Sequence, residues 1–140
     1  MSHQWIDPKS CQSLVVLVET VTAPLLVQHA APVCMEVDIE SEMRIPADST
    51  QTAELIRTLV TQALAEMPEG GDLMITACET ERGIELEFAD NGCDVDDRAQ
   101  SLPLVAAAMG AQLNWQNCPQ GGGAVTVTFR RSDVARRRAA

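Results

Sequence analysis

Between residues 84 and 89 the chain alternates: Ile84, Leu86 and Phe88 are interleaved with Glu85, Glu87 and Ala89. Successive side chains of an extended backbone point to opposite faces, so this period of two predicts a strand with one buried face. A half-apolar strand needs neighbours in a sheet and a second layer over its apolar side, which commits the chain to a layered fold. The strand then enters Asp90-Asn91-Gly92-Cys93-Asp94, with Asp96 and Asp97 close behind. Asp-x-Gly is an ordinary way to end a strand, because the Asp side chain bonds the backbone two residues on.

The remaining segments supply the neighbours. Val33, Met35, Val37 and Ile39 alternate with Cys34, Glu36 and Asp38, a second strand, and a short third is expected at Met43–Ile45 before Pro46. Asp48-Ser-Thr-Gln51 has the form of a capping box. After it, Leu55, Leu59, Ala63 and Met67 form one i,i+4 row, and Ile56, Val60 and Leu64 form the next. That is a helix over 49–67, stopped by Pro68-Glu-Gly-Gly71. Leu73–Cys78 and Ile84–Ala89 read as a hairpin closed by Thr80-Glu-Arg-Gly83. Leu102–Met109 reads as a short Ala-rich helix, and Gln112–Trp115 and Gly123–Phe129 as two last strands. Residues 10–29 carry apolar positions at three-to-four spacing around Pro24; a helix fits, although Leu14–Val18 also suits a strand. The order α-β-β-α-β-β-α-β-β predicts a two-layer α/β sandwich: a mixed sheet of about six strands with about three helices on one face.

With 140 residues there is room for one domain and a substantial core. An apolar fraction of 46% against 21% charged excludes general disorder. The formal charge of −10 is uneven. Five arginines fall in the last eleven positions, which leaves residues 1–129 with 19 acidic and 5 basic groups, a net of −14. Such a body repels a phosphate backbone, so nucleic acid is not an expected partner. The Arg-rich tail, 131–140, reads as a solvated terminus, with contact to an acidic partner or a phosphate as the alternative. Cys11, Cys34, Cys78, Cys93 and Cys118 are odd in number and lack CxxC spacing, which suits reduced thiols and predicts no zinc site. Leu14–Val27, interrupted by Glu19 and Pro24, is too short for a membrane span; the expected location is the cytoplasm.

Three features together resemble the ATP-binding domain of sensor histidine kinases, the GHKL or Bergerat type. The first is the helix leading into Gln62-Ala-Leu-Ala-Glu-Met-Pro-Glu-Gly-Gly71, similar to the family's N-box. The second is Phe88-Ala-Asp-Asn-Gly-Cys93 at the place of its Asp-x-Gly box, and the third is the closing helix, Met109-Gly-Ala111, strand, Pro-x-Gly-Gly-Gly turn and strand. The resemblance spans roughly residues 33–130, leaving 1–32 as an N-terminal extension and helix. It implies ATP or ADP as ligand. It gives Asp90 the role of hydrogen-bonding the adenine amino group, and gives Gly92 that of letting the backbone approach the base.

The phosphate half departs from the family. Gln62 replaces the Asn that binds Mg2+, Thr58 an Asn one turn earlier, Ala65 the Lys, Asp94 a glycine and Ala124 a Thr. Glu66 places a carboxylate where a triphosphate would lie, which is repulsive without a metal; as a general base it sits off the matching position. Ser101-Leu-Pro103 stands where lid glycines belong. Bland readings compete throughout: an acidic loop free of calcium, a hairpin turn at Gly121–Gly123, a helix-end His29 and an unactivated Cys93. Catalytic residues cannot be assigned. Two function classes stay open: a degenerate histidine-kinase-type ATP-binding domain with little or no catalysis in bacterial signalling, and a pseudo-kinase, phosphotransfer or anti-sigma-type module that binds protein and no nucleotide.

Overall fold

A computed structural model of the chain describes residues 12–98 and 103–130. Residues 1–11, residues 99–102 (with Ser101 and Leu102, where lid glycines would belong) and the Arg-rich tail at 131–140 lie outside the described residues.

Helix α1 (Leu14–Gln28) begins where the Ser13 hydroxyl accepts the Val16 N–H, and it runs uninterrupted through Pro24. The apolar run at Leu14–Val18 is therefore helical. Strand β1 (Val33–Asp38) follows. Helix α2 (Ser49–Ala65) starts at Asp48, whose carboxylate accepts the Gln51 N–H at 2.9 Å, so the expected cap is in place. Both predicted rows are buried: Leu55, Leu59, Ala63 and Met67, and Ile56, Val60 and Leu64. Strands β2 (Gly71–Thr80) and β3 (Gly83–Asp90) form the hairpin. A single 3-10 turn at Val95–Asp97, helix α3 (Leu104–Met109) and strands β4 (Gln112–Asn117) and β5 (Gly123–Arg130) complete the order.

Among the described residues the sheet has five strands in the order β1-β2-β3-β5-β4. Only β1 and β2 are parallel; every other neighbouring pair is antiparallel. Parallel neighbours need a crossover, and α2 supplies it. The expected sixth strand at Met43–Ile45 reduces to one antiparallel bridge, Ser13 with Arg44. Its backbone pairs with the residues entering α1: Leu14 N–H donates to the Met43 carbonyl and Ile45 N–H to the Gln12 carbonyl. Three residues between a turn and Pro46 are too few to extend the ladder, since proline brings no donor.

One face of the sheet carries Leu73, Ile75, Ile84, Leu86, Phe88, Val125, Val127 and Phe129, which form a single core with buried residues of α1, α2 and α3. The other face is polar, as in the cross-strand row Asp38, Thr76, Glu87, Thr126 and Asn114. Phe88 packs at the centre, 1% exposed, with Ile75 and Val125 as its strand neighbours. Asp90 shares the parity of Phe88. The last residue of β3 thus turns its carboxylate toward the helix layer, at the rim of the core.

Candidate functional site

The site forms where three chain ends converge: the end of α2, the loop after β3, and the turn joining β4 to β5. Helix α2 stops at Ala65, and Glu66 caps it in helical geometry with its N–H on the Ala63 and Leu64 carbonyls. Met67 seals the helix end. Its carbonyl accepts the Gly70 N–H and lies 2.8 Å from His29 Nε2, so His29 is the helix-end residue expected of it.

Glu66 reaches the acidic loop, where its carboxylate accepts the Cys93 thiol at 3.1 Å. The backbone approach is close as well: a Cβ on Gly92 would fall 2.6 Å from the Glu66 carbonyl oxygen, so only glycine fits. Asn91 turns outward and ties the loop to the start of β2, accepting the Asp72 N–H at 3.1 Å. Asp90, Gly92 and Glu66 are therefore brought together. Gln62 lies one turn earlier on the same side of α2 and is partly exposed; among the described residues no hydrogen bond joins it to the loop.

Asp90 is 6% exposed and forms the hydrogen-bonding centre of the site. Its Oδ1 accepts the Gly92 N–H at 2.9 Å, the Asx turn that ends the strand. Both carboxylate oxygens also take Arg98: Nη1 donates to Oδ2 at 2.9 Å and Nη2 to Oδ1 at 2.5 Å. The guanidinium is pinned on its other edge, with Nε and Nη2 donating to the Cys93 carbonyl at 3.0 and 2.7 Å. The ion pair is enclosed, with the Arg98 and Asp90 side chains 6% and 3% exposed. A bidentate guanidinium–carboxylate pair is a strong and directional charge-assisted contact. The Asp90 carboxylate accordingly holds the Arg98 proton more tightly than water would, although burial works against this.

Glycines line the third side. Gly122, with φ +93, lies against the Asp90 backbone, and a Cβ on Gly123 would sit 3.0 Å from Arg98 Cζ. The neighbouring Asn117 side-chain Oδ1 accepts the Val95 N–H at 2.7 Å and fixes the 3-10 turn that presents Arg98. A flexible hairpin turn was the expectation for Gly121–Gly123, but Gly122 and Gly123 are buried packing surfaces. Arg98 itself was not among the expected site residues. One signal was present: it is the only basic residue between Arg82 and Arg130.

Two thiols flank the cluster, and both are pushed above the usual range. For Cys93 the Glu66 hydrogen bond is the main cause, and for Cys118 burial, assisted by Glu87 and Asp90. A thiol held protonated is a poor nucleophile, in keeping with the unactivated reading of Cys93. Among the described residues no group of three or more His, Cys, Asp or Glu is arranged to hold a metal ion. No helix among them is long and apolar enough to cross a membrane.

No protein-family model and no curated protein matches the chain. Solved structures do. The mycobacterial sensor histidine kinase MprB superposes with a TM-score of 0.67 at 15% identity, over 84% of this chain and 95% of that one. The catalytic domain of histidine kinase ThkA gives 0.67 at 16% identity, over 85% and 94%. The histidine kinase domain of the blue-light activated kinase from Erythrobacter litoralis gives 0.65 at 15%, over 96% and 67%. The mixed sheet and its helix layer thus belong to one architecture: the chain has the fold of a histidine kinase catalytic domain.

Proposed function

We propose that the chain is a histidine-kinase-type domain whose phosphate and magnesium side has been lost, and that it acts in bacterial signalling as a protein-binding module with little or no catalysis. The observation that carries this reading is the contact of Glu66 with the loop at Cys93. Where a triphosphate would need positive charge, the end of α2 offers a carboxylate, and the one guanidinium of the cluster is already spent on Asp90. Phosphoryl transfer rests almost wholly on positioning and on neutralising phosphate charge. A site of this sign does neither. Gln62 offers an amide oxygen on the right helix, but without a basic neighbour on that turn, since Arg57 is the only cation of α2.

A protein partner in a signalling pathway is supported by the likeness to a sensor histidine kinase and a blue-light activated histidine kinase. Titration calorimetry of the full chain with ATP and with ADP, each with and without Mg2+, tests the proposal. The expected result is no saturable heat at about 1 mM nucleotide, an affinity weaker than roughly −4 kcal/mol. Binding on the order of 10 μM that disappears in Asp90→Asn would instead establish an ATP-binding domain.

A further inference from the structure

The geometry points to Arg98 as a built-in ligand: its guanidinium occupies, from within the chain, the planar donor-reading pocket formed by Asp90 and the Cys93 carbonyl, and thereby keeps that pocket shut. The inference rests on the proposal above and adds what closes the base side of the site.

Four observations carry it. The acceptors are arranged around a planar donor edge: two carboxylate oxygens on one side and a backbone carbonyl on the other, all engaged by one flat group. The space is provided by glycine, for a Cβ on Gly92 would come within 3.2 Å of Nη2 and one on Gly123 within 3.0 Å of both Cζ and Nη2. No lone pair of Asp90 is left facing solvent, its side chain being 3% exposed. Finally, a buried ion pair is a costly way to hold a fold together, because apolar residues of the same volume serve as well or better.

Truncating Arg98 would leave a hollow with two acceptor walls and a buried negative charge. Its complement is a small planar N–H donor: a guanidinium or amidine cation, with donors on adjacent nitrogens, or the amino group of adenine, with both N–H bonds on one nitrogen. These differ in charge, so two probes separate them. The guanidinium ion restores the missing charge, and adenosine offers the base edge without the phosphates that Glu66 repels.

Thermal unfolding of the full chain is followed with guanidinium chloride up to about 50 mM, far below denaturing levels, against sodium chloride at equal strength. The Arg98→Ala midpoint should rise saturably with guanidinium and not with sodium, while wild type shows no such rise. Adenosine should bind Arg98→Ala at least about tenfold more tightly than wild type, a difference of roughly 1.4 kcal/mol. Equal responses of the two proteins to both probes overturn the inference. If Arg98→Ala does not fold, the wild-type Arg98 Nε–H decides. A resolved, slowly exchanging NMR signal that adenosine leaves unchanged upholds the closed pocket; exchange at the rate of a free arginine overturns it. Nucleotide binding by wild type would defeat the functional proposal. Unresponsive Arg98→Ala beside a nucleotide-silent wild type would defeat the built-in ligand alone.

Discussion

The two sides of the loop after β3 are built in opposite ways. On the core side Asp90 is buried, accepts three hydrogen bonds and is neutralised by Arg98. On the α2 side Glu66 meets an exposed thiol, with Asp94, Asp96 and Asp97 exposed beyond it and no compensating cation among the described groups it bonds. In the first, charge has been removed from water and every lone pair matters; in the second, water screens the charges and little depends on geometry. The difference teaches that two carboxylates at one loop can play opposite parts, Asp90 as internal architecture and Glu66 as part of an acidic surface.

The largest effect should come from splitting the buried pair. Arg98→Ala leaves a carboxylate enclosed without its partner, and urea unfolding should show a loss of about 3–5 kcal/mol. The double variant Asp90→Asn with Arg98→Met removes both charges and should cost less than Arg98→Ala alone. If the double variant is the worse of the two, the closed half is held by something other than the ion pair. Next comes the glycine wall. Gly122→Ala sets a Cβ against the Asp90 backbone at a φ of +93, so a loss of at least about 2 kcal/mol is expected. A loss under about 0.5 kcal/mol would show that the β4–β5 turn does not close the site.

The smallest effect belongs to the open half. Glu66→Gln should change stability by less than about 0.5 kcal/mol, since Glu66 is only half-buried and its one side-chain hydrogen-bond partner among the described residues is an exposed thiol. Its chemistry should change more. Glu66 holds the Cys93 thiol above its usual pKa, first by hydrogen bonding. A raised thiol pKa keeps the group protonated to higher pH, so removing the carboxylate shifts the thiolate population toward lower pH. Alkylation of Cys93 at about pH 8, followed by peptide mass mapping, should therefore be faster in Glu66→Gln. An unchanged rate would mean that Glu66 does not face the loop in solution.

Most of the fold was legible because it depends on periodicity. Alternation at Ile84–Phe88 and the two rows of α2 place apolar groups on one face by backbone geometry alone, and those residues are the core. The burial of Asp90 was not read from the sequence, which placed it in the loop, although it follows Phe88 by two and so shares its face. Met43–Ile45 was misread because apolar character marks burial and not the pairing partner: its backbone bonds go to the residues before α1. Gly122 and Gly123 were legible as a turn but not as a wall, since what a glycine faces is a tertiary fact.

Sequence alone determined the strand leading into Asp90, the helix over 49–67, and the lack of any Lys or Arg between Arg57 and Arg82. Those are properties of local period and residue type. Only the tertiary structure decided that Arg98 turns back on Asp90. The pair is separated by eight positions across an irregular loop, where no periodicity relates one side chain to another. Its closure depends on the 3-10 turn, the Asn117 bond to Val95, and the room left by glycines from another strand.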